Sequence, residues 1–360
     1  MRVYKIVSFS VVILLITVLF AGAVSIPAVA QTDTMQFHYN AQHSGDYSPV
    51  AGRTQPNGQL KWSYTTGGEV SSSPAVANGV IYVGSGDHNV YAINAITGTE
   101  LWNYTTGGAV LSSPAVANGV VYVGSNDRFT FQGTVYAINA TTGTLKWSFQ
   151  PGGLYDQTGS PTVSNGVVYM GSEGNAAYPG EVYALDAATG TLKWSYTTGG
   201  AVSSSPAVAN GVVYVGNRAA ADTKLYALDA ATGTLKWSYA IEVGNSSSPA
   251  VSNGVVYVGS DDHKVYAINA ANGHKLWNCT TGGDVVSSPA VSNGVVYVGS
   301  DDGYVYALNA QTGSKLWSYP TGTIGRSSPT IVNGVLYIGD SQHMSVYAIG
   351  NQSVRPTHNT

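Results

Sequence analysis

Three histidines, His88, His263 and His343, stand in similar polar turns of the chain, so folding could bring three imidazoles to one rim, where they would suit a metal. Two Asp-Asp pairs, Asp261-Asp262 and Asp301-Asp302, offer the hard oxygen donors a calcium ion takes. Ser-Ser-Pro supplies hydroxyls along the whole chain, and Cys279 is the single thiol. None of these groups has the partners its chemistry needs. No acid–base residue accompanies the histidines, and the Asp pairs occupy short turns where other copies read Gly-Asp or Asn-Asp, which turn geometry explains. A serine repeated seven times is no nucleophile, and no Ser-His-Asp or Cys-His arrangement stands apart from the background. Cys279 fills a slot held by Tyr or Phe elsewhere ("WNC" against "WSY" and "WSF"), as a small buried filler would. The expectation is no catalytic residue and no metal site.

Groups that recur at fixed spacing belong to the scaffold. "SSPAVSNGVVYVGSDD" occurs twice without change, at Ser247–Asp262 and Ser287–Asp302. Tryptophan appears at 62, 102, 147, 194, 237, 277 and 317, and seven Ser-Pro and seven Asn-Gly pairs keep step with it at a basic period of 40 residues. Within one period, "SPAVS" reads as a short strand and Asn253-Gly254 as a two-residue hairpin turn. "VVYVG", "KVYAIN" and "HKLWNCT" follow as three more strands separated by turns. Four antiparallel strands per copy, seven times over, predict an all-β, seven-bladed β-propeller of four-stranded blades. The first Trp strand (Leu60–Tyr64) has no copy before it, and the last copy stops at Ser345–Gly350 without a Trp strand. Ring closure by the N-terminal Trp strand joining the last blade is therefore expected, leaving no open edge.

Composition fits an exported β protein. Only 9% of residues are charged, with 44 Gly and 25 Tyr, and a net charge of −4 without any basic stripe excludes nucleic-acid binding. Residues 1–30 read as a signal peptide: a positive start, an apolar core at Val11–Ala23 and a small-residue cleavage site at Ala28-Val29-Ala30. Residues 31–59 form a leader, 60–350 the propeller and 351–360 a flexible tail. The expected location is extracellular or cell-surface, with no membrane insertion after cleavage; the alternative is an uncleaved anchor, since the apolar stretch from Ile6 to Val24 approaches the length that spans a bilayer. A lone cysteine allows no intramolecular disulfide, so a large core must hold the fold. Sequons at Asn103, Asn245 and Asn278 are candidate glycosylation sites; Asn103 and Asn278 follow a Trp on the outermost strand, where alternation turns them outward.

The Trp-bearing segment reads "AINAITGTELW" at Ala92–Trp102, "ALDAATGTLKW" at Ala184–Trp194 and "ALNAQTGSKLW" at Ala307–Trp317. This pattern, A-x-[DN]-x-x-T-G-x-x-x-W, closely resembles the tryptophan-docking repeat of pyrroloquinoline-quinone (PQQ) type propellers. That superfamily holds quinoprotein alcohol dehydrogenases and the propeller lipoprotein of outer-membrane barrel assembly. The resemblance implies that Trp62, Trp102, Trp147, Trp194, Trp237, Trp277 and Trp317 each lie flat between adjacent blades. It also implies that Asn94, Asn139, Asp186, Asp229, Asn269 and Asn309 fix the preceding turn. The dehydrogenases of the superfamily usually have eight blades, PQQ beside calcium, an Asp base and adjacent cysteines. This chain has seven copies, no Cys-Cys pair and no matching ligand set, so no cofactor is expected. PQQ and calcium enter only with the alternative reading, a PQQ-dependent oxidoreductase whose cofactor site has degenerated.

Function is sought where repetition fails. From Trp to the next Ser-Pro proline the chain takes 12 residues in six copies and 14 in Trp147–Pro161. From the glycine ending the second strand to the tyrosine of the third it takes 7 in copies one, five and six. That distance grows to 12 at Gly124–Tyr136, 12 at Gly171–Tyr183 and 10 at Gly216–Tyr226. Both kinds of loop open on one face of a propeller. The insertions carry Arg128, Phe129, Phe131, Tyr155, Asp156, Glu173, Tyr178 and Arg218, aromatics and charges of the kind an interaction surface uses. The expectation is a non-catalytic binding or scaffold module whose rim, over blades two to four, meets a cell-envelope protein or glycan.

Overall fold

The computed structural model describes residues 40, 60–127, 132–151, 159–174, 179–218, 223–242, 244, 247–325, 327–332, 334–340 and 345–350. All of these fall within one compact unit, Asp33–Thr360. Among them there is no helix; 27 strands form seven antiparallel sheets, and the seven-bladed β-propeller is the fold. Blade 1 shows the plan: Ala75–Ala77, Val80–Gly84, Asn89–Asn94 and Glu100–Thr105, paired in chain order. Blades 2 to 6 repeat it, starting at Ala115, Thr162, Ala207, Ala250 and Ala290.

The turns follow from residue type. Asn253 (φ 49°) and Gly254 (φ 75°) both take the left-handed conformation that a type I′ hairpin needs, and the pairs starting at Asn78, Asn118, Asn165, Asn210 and Asn293 behave alike. The next turn is fixed by the Asn or Asp before it: Asn94 Oδ1 accepts from the N–H groups of Ile96 and Thr97 at 2.9 and 3.0 Å. Asp186 does the same with Ala188 and Thr189. In each complete blade a bulge follows the alanine paired with tryptophan, as between Ala184 and Leu185. It lets both residues ahead of the indole, Leu192 and Lys193 in blade 3, face solvent.

The core lies between blades. Ala115, Tyr122, Val135 and Trp147 of blade 2 pack against Val163, Val168, Met170 and Leu185 of blade 3. Tyrosine and tryptophan of one blade donate to the same carbonyl of the next: Tyr122 Oη at 2.9 Å and Trp147 Nε1 at 3.1 Å both reach Ala187 O. This arrangement uses both lone pairs of one buried oxygen. It recurs at Ala140, Ala230, Ala270 and Ala310. The glycine of the following turn stands over the indole; an added Cβ at Gly190 would lie 2.6 Å from Trp147. The Ser-Ser-Pro serines serve the backbone. Ser112 Oγ donates to Gly124 O and accepts from Gly124 N, both at 2.8 Å. The second serine links blades, as where Ser248 N donates to Ser288 Oγ at 3.0 Å.

The last blade carries fewer strands among the described residues. Its sheet has three strands, Thr330–Val332, Val335–Asp340 and Ser345–Ile349, and Leu60–Tyr64 lies in no sheet. The Trp62 segment is nevertheless seated on blade 1, with Nε1 donating to Ala95 O at 3.1 Å and the indole under Gly98.

Candidate binding rim

The linker entering a blade and the turn between that blade's second and third strands are hydrogen-bonded to each other, so the two kinds of loop share one face. Gly86 N donates to Glu69 O at 2.7 Å, Asp301 N to Asp284 O at 2.9 Å and Arg218 N to Ala201 O at 2.7 Å. Isolated bridges Ala109↔Asn126 and Ala201↔Arg218 mark the same contact in blades 2 and 4.

In the short-turn blades an aspartate staples this junction. Asp87 Oδ2 accepts from Gly67 N at 2.7 Å and from the Tyr91 hydroxyl at 2.6 Å, while Oδ1 takes Asn89 N at 3.0 Å. Asp302 repeats this with Gly282 N at 2.7 Å, Tyr306 at 2.5 Å and Tyr304 N at 3.0 Å. Asp262 holds Tyr266 and the Lys264 ammonium, which also reaches Glu242 at 3.2 Å. Burial and then the facing carboxylate push the Tyr266 and Tyr306 hydroxyls up, which keeps them protonated as donors. In blade 2, where Gln132 replaces the aspartate four positions before the tyrosine, the tyrosine hydroxyl accepts from the linker, Gly107 N reaching Tyr136 Oη at 3.0 Å; in blade 4 Gly199 N reaches Tyr226 Oη at 3.4 Å.

Acid should loosen the stapled side. Burial alone would raise the Asp87 carboxyl, but hydrogen bonds from Tyr91, Asn89, Ser85 and Gly67 outweigh it and hold the group below its ordinary value. The Thr189 bonds lower Asp186, and Lys236 followed by Thr232 lowers Asp229. A carboxyl depressed in the folded state contributes stability above its unfolded pKa, and that contribution disappears as pH falls through the folded value. The thermal midpoint should hold steady down to about pH 5 and drop below about pH 4. Asp87→Asn should lower the neutral-pH midpoint and flatten the acid limb; an unchanged limb would remove the staple from the explanation.

Each insertion between a second and a third strand springs from a closed base. In blade 2, Asp127 N donates to Gln132 O at 3.0 Å, and the hairpin pairs out to Asn126↔Gly133. In blade 3, Ser172 N donates to Glu181 O at 2.8 Å and Glu181 N to Ser172 Oγ at 3.0 Å. In blade 4, Asn217 and Lys224 close the loop, with Lys224 N donating to Asn217 Oδ1 at 2.6 Å. Of the eight rim residues expected from sequence, Arg218 is exposed and Glu173 half-buried. Arg128, Phe129, Phe131, Tyr155, Asp156 and Tyr178 lie outside the described residues, as do His343 and the sequon residue Asn245. Asn103 and Asn278 are exposed on outer strands.

His88 (φ 74°) and His263 (φ 63°) take left-handed turn positions, and His263 Nδ1 faces Asp284 Oδ1 at 3.0 Å. Among the described residues, no three His, Cys, Asp or Glu side chains converge in a way that would hold a metal ion. Cys279 is partly buried on an outer strand, where burial pushes the thiol up and away from reactivity.

No curated protein matches the chain in sequence. The solved crystal structure of BamB from Moraxella catarrhalis is 20% identical with a TM-score of 0.67, covering 84% of this chain and 88% of that one. The computationally designed Ika8 protein is 18% identical with a TM-score of 0.67, over 79% of this chain and 84% of that one. A europium-containing methanol dehydrogenase is 17% identical with a TM-score of 0.62, over 81% of this chain and 76% of that one. At such identities the likeness is one of fold, and a propeller hosts many functions. A sequence-family model described as outer membrane protein assembly factor BamB matches residues 48–178, 133–247 and 240–353. With matches running from residue 48 to residue 353, this chain belongs to that family.

Proposed function

We propose that this protein is exported and works in the cell envelope as a non-catalytic binding or scaffold module. Its partner, an envelope protein or glycan, meets the loops of blades two to four through Arg128, Phe129, Phe131, Tyr155, Asp156, Glu173, Tyr178 and Arg218. The observation that carries this reading is the departure of one sector of the rim from the repeat. Blades 1, 5 and 6 keep short turns held by an aspartate, blade 2 has Gln132 in its place with a direct bond to Tyr136, and the insertions of blades 2 to 4 rise from closed bases. Membership of the BamB family agrees with an assembly role in the envelope.

The closed base makes the test clean. Replacing Ser172–Gly180 with the short turn of blade 6, Ser300–Gly303, leaves Glu181 and the strand after it in place. The variant should melt with the parent yet lose at least about tenfold in capture of envelope partners by in-cell crosslinking, as removal of a hot spot does. Undiminished capture would take the rim out of the proposal.

A second reading, a PQQ-dependent oxidoreductase, has the methanol dehydrogenase fold in its favour. Adding PQQ with calcium and looking for a bound chromophore and dye-linked alcohol oxidation decides between the two; a positive result in both would displace the binding reading.

A further inference from the structure

The two ends of the blades differ in charge and in evenness. The linkers and insertions of the rim lie at one end; the Asn-Gly hairpins and the turns leading into the tryptophan strands lie at the other. At this second end the turns keep one length. The Asn or Asp that opens the second kind of turn stands 8 residues ahead of its tryptophan in blades 1 to 6, from Asn94–Trp102 to Asn309–Trp317. In blades 2 to 6 the tips are exposed and uncharged, as at Thr141-Thr142 and Ala188-Thr189.

After each of these turns an exposed lysine stands at the start of the outer strand: Lys146, Lys193, Lys236, Lys275 and Lys315. Each has beside it a leucine that is 44–50% exposed, because the bulge turns both residues ahead of the indole to solvent. Asp186 and Asp229, at 4.0 and 3.3 Å from Lys193 and Lys236, are the acids at this end of blades 2 to 6. Both already give Oδ1 to the N–H groups of their own turns. The opposite end is acidic: Glu69, Asp87, Glu173, Asp262, Asp284 and Asp302 stand in its linkers and turns. No run of the sequence is basic. The fold makes the patch by bringing lysines 39–47 positions apart to one end of neighbouring blades.

We infer that this end of blades 2 to 6 docks on an anionic lipid bilayer. Turns of constant length and no charge can lie against a plane, which the uneven rim cannot. The lysines at their margin reach lipid phosphates, and the neighbouring leucines enter the boundary between headgroups and acyl chains. Each lysine near an anionic surface adds about fivefold to partitioning, and salt screens the gain. The acids at the far end escape repulsion by the lipid, and the rim there stays open to its partner. The docking rests on the envelope location proposed above and not on the rim, so capture of the partner and binding of lipid can each fail alone.

The full chain is mixed at low salt with vesicles of phosphatidylcholine, alone or with phosphatidylglycerol added, and the sedimented fraction is measured. The anionic vesicles should bind at least about tenfold more tightly, with the preference shrinking at high salt. Any affinity of apolar residues 6–24 is common to both vesicles and cancels. Lys146→Gln/Lys275→Gln/Lys315→Gln should lose at least about tenfold of the preference while keeping the parent's melt and its capture of envelope partners. Equal binding to the two vesicles overturns the inference, as does a triple variant that keeps the preference. Orientation has its own readout in a Cys279→Ser background. A fluorophore on Thr141→Cys should be quenched by spin-labelled anionic lipid, and one on Glu69→Cys should not. Equal or reversed quenching would put another face on the bilayer and overturn the inference. So would polyphosphate binding as tight as that of the vesicles with no quenching at Thr141, which would give the patch to a soluble anionic polymer.

Discussion

Trp147→Ala should destabilise the protein by about 3–5 kcal/mol, read as a shift of the urea midpoint. The indole is buried in the core shared by blades 2 and 3, under Gly190 and beside Tyr122 at 5.8 Å between ring centroids. The lost hydrogen bond is not the main term, because Tyr122 still donates to Ala187 O at 2.9 Å and the carbonyl stays satisfied. What remains is a cavity between two sheets, whose β ladders restrict how far either can collapse into it. Trp317 supplies the internal control. It is 38% exposed beside a cavity of about 350 Å3 lined by Tyr297, Ile331, Leu336 and Ile349. The chain after it lacks the T-G turn that stands over the other indoles, since "AIG" at Ala348–Gly350 runs on as "NQSV". Trp317→Ala should therefore cost only about 1–2 kcal/mol, the value of partial burial. Equal losses at the two sites would mean that the indoles contribute through something other than the seam.

The features legible in the sequence are those that one copy contains whole. The Asn-Gly turns, the strand alternation and the Asn or Asp that folds the T-G turn all involve residues a few positions apart, and seven repetitions remove accident from the reading. The aspartate staple was harder to see, because Gly67 and Asp87 stand twenty residues apart and Asp87 also makes sense as a plain turn residue. A signal existed: Asp precedes the third-strand Tyr by four positions at Asp87/Tyr91, Asp222/Tyr226, Asp262/Tyr266 and Asp302/Tyr306, while Gln132 and Pro179 hold that position in the insertion copies of blades two and three. The packing of the chain's two ends was less legible than the repeat between them, because it depends on contacts between segments far apart in the chain. Val70 and Val110 follow the same Thr-Gly-Gly, yet one is exposed and the other buried. Loop length alone marks where the candidate rim lies along the chain, and the structure adds the closed bases beneath three of the insertions.

Gly259→Ala is expected to cost about 2–3 kcal/mol, near the upper end for an overpacked core. The reason is space and not backbone conformation, because Gly259 is absent from the positive-φ positions. An added Cβ would lie 2.5 Å from Val285 Cγ1 and would also press on the Val285 carbonyl. That carbonyl belongs to a linker whose N–H is bonded to Ser260 O at 3.0 Å, so neither side can retreat alone. Gly254→Ala makes the contrast: its φ is 75° and nothing stands within 4 Å of the new Cβ, so only the left-handed strain is felt, about 1 kcal/mol. Val285→Ala in the Gly259→Ala background should restore part of the loss, since it removes the clash with Cγ1 but leaves the clash with the carbonyl. A double-mutant cycle should then show a favourable coupling of about 1 kcal/mol. Strict additivity would mean that the valine does not press on the glycine, and the account of this seam would fall with it.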